Sequence, residues 1–194
     1  MKKTVLLLAM TMVSSIAFGQ IQKGDIQLGG NINYSNTEAP GFEATIFQLN
    51  PRGALFLNNT TSLGLNLGYL SNTTDQGAGE NKLSTFSLGA FVRFHKNVSD
   101  RFYFFLEPSM GFGTGTQENP AFANDFDVNT FNLNLVPGIL YFLSDKVALE
   151  MNMGGIVYSN NSTEGNGLDQ DVDNFAVNFN LTNVTIGASI FLRK

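Results

Sequence analysis

The sequence predicts an all-β fold: eight antiparallel strands in an up-and-down meander, closed into a transmembrane β-barrel. Three observations predict it. Apolar residues recur at every second position through nearly the whole chain. The positions between them are filled by Asn and Gly more than by Lys and Glu. Charge is absent from the apolar stripes and gathers toward the two ends.

The composition narrows the alternatives. Of 194 residues, 43% are hydrophobic and only 14% charged, with 18 Phe, 20 Gly and 23 Asn. There is no Cys, which removes disulfide scaffolds, thiol nucleophiles and thiolate metal sites. A formal charge of −5 argues against an electrostatic nucleic-acid surface, so no nucleic-acid partner is expected.

The chain begins with a leader. Lys2 and Lys3 form a basic start, Val5 to Val13 is apolar apart from Thr11, and Ala17-Phe18-Gly19 places small residues at a cleavage site. Residues 1–19 are therefore expected to be removed, leaving one domain, 20–194, with a net charge of −7 once Lys2 and Lys3 are gone. The apolar run falls short of the ~18–20 residues a spanning helix needs.

From there each strand justifies itself by alternation. Ile26, Leu28, Ile32 and Tyr34 mark the first, interleaved with Gln27, Gly29, Asn31 and Asn33. Phe47-Leu49-Pro51-Gly53-Leu55-Leu57 marks the second and Leu63-Leu65-Leu67-Tyr69 the third. Phe86-Leu88-Ala90-Val92-Phe94 and Phe102-Phe104-Leu106-Pro108-Met110-Phe112 are the fourth and fifth. Phe131-Leu133-Leu135-Pro137-Ile139-Tyr141 is the sixth, and Leu149-Met151-Met153-Gly155-Val157 the seventh. The eighth runs Phe175-Val177-Phe179-Leu181, slips phase at Thr182-Asn183, and resumes as Val184-Ile186-Ala188-Ile190-Leu192; the slip predicts a β-bulge. Pro51, Pro108 and Pro137 fall mid-strand, where a closed barrel has no free edge, so bulges or ladder gaps are expected there.

Connections alternate between short turns (58–60, 96–101, 144–146) and longer polar stretches (36–42, 72–82, 116–127, 159–173) read as loops. A shift of 86 residues lays Pro51–Tyr69 over Pro137–Gly155, with Pro, Phe, Leu, Asn and Gly matches, so strands two–three and six–seven read as versions of one hairpin.

Alternation alone leaves open which face is wet. The polar stripe decides. Uncharged amides and Gly suit a narrow hydrogen-bonded lumen better than a water-facing surface. The longer connections and their margins carry eleven acids, from Glu38 to Asp173, against Lys82 alone, and the short-turn end is mixed. Tyr34, Tyr69, Phe112, Phe131, Tyr158 and Phe175 then predict one aromatic girdle, and Phe94, Phe102, Tyr141 and Phe191 a second.

Taken together, Leu49-Asn50-Pro51-Arg52-Gly53-Ala54-Leu55-Phe56, Phe86 to Phe94 and Pro137 to Lys146 resemble small outer-membrane barrels of Gram-negative bacteria, the OmpA/OmpX-like group. The end of the chain resembles the signal read by the barrel-assembly machinery, carried here by Gly187, Ile190 and Leu192. It departs from that pattern by finishing on Arg193 and Lys194 instead of an aromatic. The resemblance implies residence in the outer membrane as a monomer, with outer-membrane lipids and lipopolysaccharide as surroundings. It implies location better than activity.

Four inward charges, Arg52, Arg93, Glu107 and Glu150, lie within several residues of the short turns. They are read as a paired network that fills the lumen, with an ion-selective constriction as the functional alternative. His95, the single histidine, is read as an interfacial residue in preference to a general base or metal ligand. Asp169, Asp171 and Asp173 have the start of a calcium loop without its Gly and closing Glu, and are read as solvated acids. No cofactor or metal is expected. The sequence therefore predicts a non-enzymatic surface protein, structural or adhesive, acting through its acidic loops. The alternatives are a narrow porin-like pore, an outer-membrane lipid-modifying enzyme and a soluble secreted barrel.

Overall fold

The structure is a computed structural model that describes residues 21–77, 79–122, 125–179 and 185–193. The leader and the slip at Thr182-Asn183 lie outside the described residues. All regular structure among the described residues is β. The strands are β1 Ile26–Ala39, β2 Phe42–Phe56, β3 Thr61–Asp75, β4 Glu80–Ser99, β5 Phe102–Glu118, β6 Phe126–Phe142, β7 Val147–Asn152, β8 Gly155–Gly165, β9 Leu168–Asn178 and β10 Thr185–Leu192.

These ten segments make eight staves. β7 and β8 both pair with β6, along its two halves, and so form one interrupted stave. β10 follows β7 and β9 follows β8, forming the eighth. Every neighbour is antiparallel. The β1–β10 ladder, from Ile26 opposite Leu192 to Gly30 opposite Ala188, joins the last stave to the first and closes the barrel.

Around the middle of the staves the wall is apolar outside and polar inside. Leu65 is 60% exposed while Arg93 is 1% exposed, the reverse of a water-soluble barrel. The outer surface therefore needs an apolar solvent, and hydrocarbon satisfies it. Staves of 14 to 20 residues in β1–β6 exceed the ~9–11 a tilted strand needs to cross a bilayer.

That excess corrects the reading of the connections. Most of 36–42, 72–82 and 159–173, and part of 116–127, is not loop but continued ladder. β1 and β2 pair up to Ala39 opposite Phe42, leaving Pro40-Gly41 as the turn. β8 and β9 pair up to Gly165 opposite Leu168 across Asn166-Gly167, both at positive φ (51° and 81°), as a two-residue hairpin turn of type I′ requires. The polar residues here pair through their backbones, so the ladder continues where the apolar stripe has stopped.

Each mid-strand proline meets a ladder gap. Pairing of β2 with β3 stops at Leu49–Tyr69 and resumes at Arg52–Asn66, skipping Pro51. β4 and β5 skip from Phe94–Leu106 to Phe91–Ser109 around Pro108. Beside Pro137, pairing passes from Gly138–Asn152 to Leu135–Ile156, with three residues of the seventh stave facing two of β6. The missing donor is turned toward the gap, and each proline keeps register on its other edge. The bulge opposite Pro137 uses Gly154 at φ 79°, where a Cβ would strike the Asn178 carbonyl. It also shifts the outward phase: Ile156 and Tyr158 continue the stripe, and Val157, opposite Asn134, faces inward instead of outward.

Candidate functional site: the ionic layer and its apolar floor

The alternation of β2, β4, β5 and β7 sends Arg52, Arg93, Glu107 and Glu150 into the lumen, and the structure brings all four together. Arg52 Nη2 donates to Glu107 Oε2 at 2.5 Å. Arg93 donates through Nε to the same oxygen at 2.6 Å and through Nη1 to Glu150 Oε2 at 2.8 Å. Glu150 Oε1 accepts from Gln27 Nε2 at 2.6 Å, and Gln27 also reaches Ser189 Oγ at 3.2 Å. Two cations and two anions thus neutralise one another inside an enclosed space, the condition under which buried charge is tolerated.

Aromatic rings support the guanidiniums. Arg52 lies 4.0 Å from the centre of the Phe91 ring, and Arg93 lies 3.9 Å from that of Phe105. Room for the rings comes from glycine. A Cβ on Gly64 would overlap Phe91, and one on Gly138 would overlap Phe105. The layer sits level with the proline gaps: Arg52 follows Pro51, Glu107 precedes Pro108, and the Arg93–Glu107 ion pair spans the interrupted stretch of the β4–β5 ladder.

Beneath the layer, toward the short turns, lies an apolar floor that the amide-and-glycine reading of the lumen missed. Ile21, Phe56, Tyr103, Phe105, Leu140, Phe142, Ala148 and Phe191 form one buried cluster. The sequence signal was present. Leu55-Phe56-Leu57, Tyr103-Phe104-Phe105-Leu106 and Leu140-Tyr141-Phe142-Leu143 are unbroken apolar runs, the mark of strands buried on both faces. Phe191 belongs to this floor, 4.8 Å from Phe142 between ring centres, and not to the turn-side girdle; its neighbours Ile190 and Leu192 are the outward pair.

His95 is likewise inside, 4% exposed, with its ring 5.0 Å from Phe56 and 6.3 Å from Phe105. This corrects the interfacial reading: Phe94 points out, so the next residue points in. No group of three His, Asp or Glu able to hold a metal occurs among the described residues. Asp169, Asp171 and Asp173 lie along the extended strand β9, which cannot curl around a cation as a calcium loop does.

The other end is different in kind. Phe47, Tyr69 and Phe86 form one run of ring contacts and Phe112, Phe131 and Tyr158 another, with centroid distances of 4.8 to 6.4 Å, making the loop-side girdle. Above it the hairpins set acids directly opposite acids. Glu38 faces Glu43, Glu43 faces Asp75, and Asp75 faces Glu80. Across the barrel Asp127 faces Glu164, which faces Asp169.

Residues 5–182 match the family model described as outer membrane protein beta-barrel domain. The chain belongs to that family. Its location is therefore the outer membrane, and the soluble secreted alternative falls. Among curated proteins, none matches it in sequence. Among solved structures it is similar to the outer-membrane protein OprG from Pseudomonas aeruginosa, at 12% identity and a TM-score of 0.53, covering 90% of this chain and 98% of that one. The N-terminal barrel domain of OprF from the same organism matches at 11% identity and a TM-score of 0.46, covering 88% and 98%. Neisserial surface protein A matches at 12% and 0.44, covering 88% and 95%. At these identities the OprG likeness speaks for the fold alone. The outer-membrane barrel, with its apolar outer band and polar lumen, accords with the family.

Proposed function

We propose that this family member is a non-catalytic outer-membrane protein whose barrel is a sealed anchor and whose acidic hairpins make the surface contacts, in adhesion or defence. The observation that supports this reading is the filling of the turn-side lumen. An ionic layer whose carboxylates are both engaged rests on a floor of buried aromatics, and on this reading the two together close the turn-side half to ions and solutes. Its four charged groups are paired with one another, so the layer itself holds no unpaired acid or base. The exposed, unbalanced charge stands instead on hairpins that extend the staves beyond the girdle.

On this reading the leader 1–19 is removed on export. Gly187, Ile190 and Leu192 serve the assembly machinery, with Ile190 and Leu192 turned to the lipid. The barrel sits as a monomer among lipids and lipopolysaccharide. Planar-bilayer recording tests the sealed lumen: wild-type protein is expected to give no steady conductance, and a reproducible open level would return the narrow pore to first place.

A further inference from the structure

Among the described residues the β1–β10 ladder closes the barrel over five residue pairs. Its last pair is Gly30 with Ala188. Continued in register, Asn31, Ile32 and Asn33 would meet Gly187, Ile186 and Thr185, all described and all within strands, yet these pairs do not form. At that height β10 is held by β7, with Gly187 opposite Glu150 and Thr185 opposite Asn152. From Asn31 to Ala39, β1 is exposed on both faces. The seam therefore parts just above the ionic layer.

A chamber of about 290 Å³ lies at the parting, lined by Gly30, Asn31, Gln48, Asn50, Arg52, Glu150, Asn152, Gly187 and Ala188. Asn31, Gln48, Asn50 and Asn152 give it four amides. Gly30 and Ala188, the last pair of the β1–β10 ladder, also line it, so the chamber adjoins the parting. Open space also adjoins Gly187, where a Cβ would meet nothing within 4 Å. On the outer surface Ile32 and Ile186 flank the parting, 69% and 65% exposed.

We propose that this chamber binds the neutral, polyhydroxylated head of a membrane amphiphile that enters sideways through the seam and leaves its acyl chain among Ile32, Ile186 and the lipid. The charge state of the head follows from the existing bonds. Arg52 is engaged by Glu107, and Glu150 by Arg93 and Gln27, so neither seeks a counter-ion. Remaining capacity is that of amides, which donate and accept equally, and Asn152 Oδ1 is buried without a hydrogen-bond partner. The volume lies at the small end of ligand pockets, which begin near ~300 Å³, and suits a single sugar or glycerol head.

The test uses the full barrel in phosphatidylcholine nanodiscs, with the side-chain amide resonances of Asn and Gln followed by NMR. Octyl glucoside, below its micellar concentration, is expected to shift the chamber amides saturably, while glucose and octanol at the same concentrations do not. Gly187→Leu, whose side chain grows into the open space, and Asn50→Leu are each expected to weaken the response at least tenfold, with folding checked by heat-modifiable gel migration. Equal shifts from glucose would overturn lateral entry, and equal shifts from octanol would overturn recognition of the head. Folded variants that respond as the wild type does would remove the chamber itself. Should either variant fail to fold, the comparison of the three ligands on wild-type protein decides.

Discussion

The two halves of this barrel answer the same requirement, a polar backbone inside a membrane, in opposite ways. The turn-side half is solid: a charged layer over an aromatic floor, with Arg93, Phe56, Leu140 and Phe191 each at 1% exposure or less. The loop-side half has small and amide residues inside and continues as hairpins whose side chains are mostly polar on both faces. The difference teaches that closure of the ring and filling of the ring are separate achievements. Backbone pairing carries the hairpins with few buried side chains, Phe126 and Val128 among them, whereas the turn-side half is locked by side chains at the level where prolines interrupt the ladders.

If the locking account is right, the largest effect comes from unbalancing the ionic layer. Glu107→Gln leaves Arg52 and Arg93 with one anion between them, and breaking a buried pair in this way costs about 3–5 kcal/mol. Urea unfolding in lipid vesicles, read by heat-modifiable migration, should show that loss. A cost below about 1 kcal/mol would mean that the layer is hydrated and the turn-side half is no more solid than the other.

Next comes the packing that holds the guanidiniums. Gly138→Ala puts a methyl into the space of the Phe105 ring and against the Met151 carbonyl. Overpacking of this kind costs ~1–3 kcal/mol, and the same unfolding assay measures it. The matched change on the loop side, Gly167→Ala, meets nothing within 4 Å and strains only a residue at φ 81°. A cost of ~1 kcal/mol is expected, confined to amide exchange of the β8–β9 hairpin. Equal, global effects from the two alanines would erase the contrast between the halves.

How much of this was legible follows from the same contrast. Where one face is apolar and the other polar, alternation specifies phase, so the outward stripes of β1 to β6, the inward direction of the four charges and the gaps at Pro51, Pro108 and Pro137 were all readable. Where both faces have the same character the signal vanishes. Polar on both sides, 159–173 read as a loop and is a hairpin; apolar on both sides, the runs around Phe56, Phe105 and Phe142 hid the floor. The phase of Val157 was lost for a third reason, the one-residue bulge opposite Pro137, which no local pattern in the seventh stave announces. Pairing of Arg52, Arg93, Glu107 and Glu150 was foreseeable from their shared height above the turns. Their use of Phe91 and Phe105 as supports was not, because it depends on glycines from neighbouring staves.

The smallest effect expected is a pH dependence restricted to the loop-side half. Asp173 lies beyond the girdle, and its Oδ1 accepts hydrogen bonds from the Tyr158 hydroxyl at 2.8 Å and from Asn160 Nδ2 at 3.1 Å. Those bonds favour the ionised form and hold the carboxyl below its ordinary value. A carboxyl depressed by folding contributes stability above its unfolded pKa, near 4, and loses that contribution as pH falls through the folded value. Protection of the β8–β9 amides, corrected for intrinsic exchange, should therefore fall slightly below pH 4 in the wild type and stay flat in Asp173→Asn. Because the site is fully open to water, the change should not reach the turn-side half. A pH-driven loss of protection in β4 or β5 that Asp173→Asn abolishes would show that the two halves are coupled after all, and that the ionic layer senses the hairpins above it.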